Sequence, residues 1–168
     1  MTRPHTSGPS AVLVVGVGNL ARGDDAAGLL VARRIRLREP RIEVVEVPNA
    51  TDCLDALRRG ERVIVVDAMR TGAPAGTVRR FDLQDEPLPA SFSPGSTHAL
   101  GLATAVELAR ALGTLPRRVV VYGIEGARFE LGAAPSPEVL AAVDRVAEAV
   151  VAEWKSAAES EKAETCTS

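Results

Sequence analysis

The sequence predicts a single α/β domain, a mostly parallel, twisted sheet of about five strands with helices on both faces. Two patterns carry that expectation. Short β-branched runs alternate with helical stretches along the chain, and the strongest runs are apolar at nearly every position, as strands buried on both sides require. Length agrees, since 168 residues suffice for one filled core but not for two comfortable ones.

The elements follow in order. Residues 11–17 (AVLVVGV) form a buried strand, and 25–37 form a helix with Leu29, Leu30, Ala32 and Ile35 set against Arg33, Arg34 and Arg36. Residues 42–47 (IEVVEV) are the second strand, followed by a short helix over 51–59 that Thr51 is placed to cap. Residues 62–67 (RVIVVD) are a third buried strand, closed by Asp67. The stretch 76–82 (GTVRRFD) reads as an exposed edge strand, because charges interrupt the run. A Pro- and Ser-rich loop over 84–96 leads to a helix near 97–112, and 118–124 (RVVVYGI) is the last strand. The chain then enters a long amphipathic helix over 135–154, with Ser136 as its cap and Pro137 at its first position. Residues 1–10 read as a flexible leader, 11–155 as the folded domain and 156–168, which lack an apolar face, as a flexible tail.

Composition narrows the function classes. A net charge of -2 and 3% aromatic residues supply neither the basic face nor the stacking platform of a nucleic-acid binder. No apolar run approaches the roughly 18 residues of a membrane span, and the leader lacks the apolar core of a secretory signal. The protein is expected to be cytoplasmic and monomeric, without membrane or nucleic-acid partners. Cys53 and Cys166 lie far apart, with no C-x-x-C pair for zinc or redox chemistry.

Polar groups break the structural pattern at three places. After the first strand, GVGNLARGDDAAG (16–28) places Asn19, Asp24 and Asp25 at the mouth of the next helix; Asp67 ends the third strand; and Ser96-Thr97-His98 opens the helix near 97–112. Ligands of open α/β sheets bind beyond the carboxyl ends of the strands, where Asp25, Asp67 and His98 are able to converge. Two carboxylates and an imidazole leave coordination positions open for nickel, zinc or another divalent ion. Each residue also has a structural reading: Asp24 or Asp25 as a helix cap, Asp67 as a turn cap, His98 as a plain helix-start residue. A dinucleotide site is the rival, since GVGNLA fits G-x-G-x-x-A and Glu46 ends the second strand where a ribose-binding acid would stand. Against it, Asp24 and Asp25 put two carboxylates where pyrophosphate would dock.

The ordered set GVGNLARGDDAAG, VIVVDA (63–68), STHALGL (96–102), VYGIEG (121–126) and SPEV (136–139) resembles the hydrogenase maturation proteases over residues 11–154. The resemblance implies an α/β endopeptidase that removes a C-terminal peptide from a nickel-iron hydrogenase large-subunit precursor after nickel insertion. It also places the family's metal-binding positions on Asp25, Asp67 and His98, with the nickel supplied by the substrate. Asp25 stands where the family has Glu or Asp, Ala26 where Gly is common, and PNATDCLDAL (48–57) lacks a Gly frequent in relatives. Whether a metal or a carboxylate activates the attacking water stays open at this level. A non-catalytic nickel-sensing or chaperone-like module on the same fold is the alternative reading.

Overall fold

The computed structural model describes residues 12–49, 52–89, 92 and 101–165, with 161–165 described as backbone alone. Five strands, β1 (Val12–Val17), β2 (Glu43–Val47), β3 (Arg62–Met69), β4 (Val78–Asp82) and β5 (Arg118–Glu125), form one sheet in the order β2-β1-β3-β5-β4. The first four positions in that order are parallel, and only β4 runs antiparallel, against β5. β4 is the charged edge strand that the interrupted pattern predicted. Helices α1 (Ala27–Arg38), α2 (Cys53–Leu57), α3 (Leu102–Ala111) and α4 (Pro137–Thr165) complete the domain.

Strand alternation divides the core into two layers. Val12, Val14, Ile64, Val66, Val120 and Ile124 pack against α1 and α4, while Leu13, Val15, Val63, Val65, Val119 and Val121 face the opposite layer with α2 and α3. Each buried aliphatic side chain contributes on the order of 1.5–3 kcal/mol relative to exposure. The Pro-rich segment after β4 is anchored in the second layer by Leu88 and Phe92, whose ring meets Phe81 edge-on at 5.8 Å.

Several boundaries differ from expectation. β3 does not stop at Asp67 but continues to Met69, because β5 runs alongside it to Glu125 and pairs Asp67 with Gly123. The first helix opens with a single 3-10 turn, Gly23–Ala26, before α1 begins at Ala27, and no side chain caps either piece. α4 runs to Thr165 rather than ending near 154. Its last stretch is rich in Ala, Glu and Lys, strong helix formers that extend an established helix without a new nucleation cost. Thr51 lies outside the described residues, and among the described residues no helix is long and apolar enough to cross a membrane.

Candidate active site

The strand order puts a reversal between β1 and β3: β1 leads outward to β2, and the chain then crosses back to β3. Such a reversal opens a crevice at the carboxyl ends of the two strands. Both Asp25 and Asp67 stand at this crevice. Asp25 belongs to the 3-10 turn that follows β1, and Asp67 lies in β3 on the layer that holds α2 and α3, by its register with Val63 and Val65.

The turn itself is tightly built. Gly18 has φ +151°, and a Cβ there would stand 2.0 Å from the carbonyl oxygen of Asp25, so only glycine fits. The Asn19 side chain accepts the Ala21 N–H at 2.9 Å, and the Asn19 N–H donates to the Asp25 carbonyl at 3.1 Å. Gly28 brings the first turn of α1 onto the sheet, since a Cβ there would meet the carbonyls of Val17 and Val66, each at 2.2 Å. The helix thereby touches both strands that flank the crevice.

The two carboxylates share an unfavourable environment. Burial pushes the pKa of Asp67 well above the usual carboxylate value, and the charge of Asp25 pushes it the same way; a backbone hydrogen bond at Ala68 opposes them more weakly. Burial also raises the pKa of Asp25, with Arg22 opposing it. Of the pair, Asp67 is the more strongly shifted. The Cys53 thiol is fully buried, and burial followed by the charge of Asp67 pushes it up to about 12, an inert sulfur rather than a nucleophile.

Asp24 and Asp25 separate sharply. Asp24 is fully buried, its oxygens accepting the backbone N–H groups of Ala127 (2.8 Å), Arg128 (2.9 Å) and Ser136 (2.6 Å). Burial alone would raise its pKa, but these hydrogen bonds hold it below the ordinary value. Ser136, expected to cap α4 through its hydroxyl, instead gives its N–H to Asp24, and among the described residues that hydroxyl has no hydrogen-bond partner. Glu125 does a similar task at the end of β5. Its carboxylate accepts the N–H of Thr71 at 2.7 Å, the hydroxyl of Thr71 at 2.9 Å and the N–H of Gly72 at 2.9 Å. Sequence reasoning passed over Glu125, although an acid ending an apolar run is the same signal that singled out Asp67.

His98 lies outside the described residues, so the structure brings together Asp25 and Asp67 alone of the three predicted positions. Among the described residues no group of three His, Cys, Asp or Glu side chains forms a metal cage. The chemistry of the pair nonetheless suits a hard or borderline cation: two adjacent carboxylates, each penalised by burial, with Arg22 the cation that acts on Asp25. Glu46 does not behave as a ribose acceptor. Arg33 reaches its carboxylate at 3.0 Å and Arg36 pairs with its other oxygen, and despite burial these two hold its pKa down.

Comparison with known proteins converges on one family. The hydrogenase maturation protease family matches residues 34–153. The chain is 29% identical over 148 residues to the hydrogenase 2 maturation protease of Escherichia coli K12, covering 84% of this chain and 88% of the relative. Its fold superposes on the hydrogenase maturating endopeptidase HybD of Escherichia coli with a TM-score of 0.72 at 24% identity, over 88% of this chain and 93% of the other. The [NiFe] hydrogenase maturation protease HybD of Thermococcus kodakarensis gives a TM-score of 0.66 at 28% identity, covering 86% and 99%.

Proposed function

The chain belongs to the hydrogenase maturation protease family and is an endopeptidase, and on that basis we propose that it removes a C-terminal peptide from a nickel-loaded hydrogenase large-subunit precursor. The observation that carries this reading is the Asp25–Asp67 pair at the β1/β3 crevice, two carboxylates whose pKa values burial raises, with the charge of Asp25 adding to the rise at Asp67. A cation brought by the substrate relieves that repulsion, so the nickel-loaded precursor is recognised over the empty one. His98 is the third group of the site in this reading. α3 packs on the same layer as Asp67 and returns through a short connection to β5. It therefore runs antiparallel to β5 and begins, at Leu102, on the carboxyl side of the sheet.

The residues then divide the work. Asp25, the more exposed carboxylate, faces the arriving cation and orients the precursor. Asp67, with its raised pKa, is suited to take a proton from the attacking water and to return one to the leaving amine. Bound nickel supplies charge that polarises the scissile carbonyl. The protein acts as a cytoplasmic monomer with no resident metal of its own.

The test is cleavage of the nickel-loaded precursor from the same source, followed by mass. Asp25→Asn, Asp67→Asn and His98→Ala are each expected to abolish shortening while leaving the fold intact. Normal rates from all three variants would remove this site from the mechanism. Cleavage of nickel-free precursor at the same rate as the loaded form would remove the substrate-borne metal.

A further inference from the structure

Asp24 is invisible to substrate, yet it controls two loops that flank the crevice. It is 0% exposed, and its two oxygens are occupied by the N–H groups of Ala127, Arg128 and Ser136. Its own N–H donates to the Arg128 carbonyl at 2.7 Å, completing a reciprocal clasp. Two further bonds join the same loops, Gly23 N–H to the Ala133 carbonyl at 3.1 Å and Gly132 N–H to the Ala21 carbonyl at 2.7 Å. Gly126 leaves room for the clasp, since a Cβ there would stand 2.8 Å from the Cβ of Asp24.

Adjacent positions in a single 3-10 turn send their side chains in different directions. Asp24 turns into the 127–136 loop while Asp25 interacts with Asp67, so any rotation at residue 24 swings residue 25. We propose that Asp24 is a positioning residue for the cleavage reaction: it clasps the β5–α4 loop to the turn carrying Asp25, and thereby fixes Asp25 against Asp67 and makes that loop a rigid wall of the substrate crevice. The proposal rests on the assignment of Asp25 and Asp67 to the reaction. Charge matters as well as shape. A carboxylate accepts at both oxygens, whereas an asparagine would turn its NH2 toward at least one backbone donor.

Three proteins decide it: the wild type, Asp24→Asn and Asp25→Asn, each incubated with nickel-loaded precursor below its melting temperature. Asp24→Asn is expected to lower kcat by about 10–100-fold with KM within about twofold, the pattern of a misplaced reacting group. Amide exchange followed by mass should quicken by at least about tenfold at Ala127, Arg128 and Ser136, with β1 and β3 unchanged. Normal kcat in a folded Asp24→Asn protein overturns the proposal, as does a loss of kcat in which exchange rises equally across the whole sheet. If Asp24→Asn does not fold, Gly126→Ala crowds the clasp by one methyl, and a reduced kcat at unchanged KM is again required. Asp25→Asn separates the levels: if it cleaves normally the site assignment itself fails, whereas an inactive Asp25→Asn beside a normal Asp24→Asn sinks only the positioning role.

Discussion

The Asp25–Asp67 pair at the carboxyl edge of the sheet and the carboxylates around its flank meet opposite fates in this fold. On the flank, Glu153 of α4 receives Arg80 at 2.6 Å and the Tyr122 hydroxyl at 2.8 Å, and Asp82 at the end of β4 receives Arg118 at 2.8 Å. Both have lowered pKa values, because these partners outweigh the burial that acts against them. At the edge, Asp25 and Asp67 have raised values, with burial prevailing and one charge opposing the other. The same chemical group is made stabilising in one region and costly in the other. Unrelieved electrostatic cost in a crevice is a mark of functional sites, and in the proposed reading a cation arriving with the substrate relieves it.

The sharpest way to break this contrast is to neutralise Asp67. Asp67→Asn is expected to reduce precursor cleavage by at least about a hundredfold, the scale of a lost general acid–base group. At the same time it should raise the melting temperature at pH 7, because burial and the charge of Asp25 both disfavour an ionised Asp67 in the folded wild type. A variant that lost activity and stability together would place Asp67 among the structural carboxylates instead.

Gly28 tests whether the crevice depends on close contact between α1 and the two strands. A methyl there collides with the carbonyls of Val17 and Val66, each at 2.2 Å, and backbone atoms cannot step aside as a side chain can. Gly28→Ala should cost at least about 3 kcal/mol, seen as a lowered urea midpoint. A loss below about 1 kcal/mol would show that α1 can lift from the sheet without penalty.

On the flank, Glu153→Gln should lose about 1–2 kcal/mol at pH 7, since Arg80 and Tyr122 are left with a weaker acceptor. Cleavage should be unaffected, because Glu153 lies several turns along α4 from the Ser136 end that Asp24 holds beside the crevice. Loss of activity in this variant would mean that the two regions are coupled.

Much of this arrangement was legible in the sequence because buried parallel strands advertise themselves. Residues 12–17, 62–69 and 118–125 are nearly unbroken apolar runs, and β4 showed its edge position by its arginines. Asp67 stood out as an acid in such a run. Legibility ended where direction matters. Asp24 and Asp25 are chemically identical neighbours, and only the folded chain shows that one clasps a distant loop while the other interacts with Asp67. Ser136 and Pro137 spelled a helix start correctly, but the donor that satisfied Asp24 lay more than a hundred residues away in sequence. The extension of α4 to Thr165 escaped notice because amphipathicity fades there while helix propensity does not.

The smallest expected effect gives the cleanest sign. Asp82 has a folded pKa below its ordinary value of 3.8, so the folded state binds its proton more weakly than the unfolded state does. Its contribution is therefore fully present above pH 3.8 and is lost as pH falls through the lowered folded value. Arg118 is half exposed, and solvent screening limits the pair to about 0.5–1 kcal/mol. Asp82→Asn should lower stability by that amount at pH 7, with the deficit closing below the ordinary carboxylate value. Asp67→Asn should give a difference of the opposite sign. Its folded pKa is raised, so the wild type is penalised as pH climbs through that raised value, and the variant's advantage disappears as pH returns toward 3.8. Chemical denaturation of both variants from pH 3 to pH 8, without added metal, measures the two curves directly. Curves of the same sign would mean that the edge and the flank treat their carboxylates alike, and the electrostatic case for the Asp25–Asp67 crevice would fall with them.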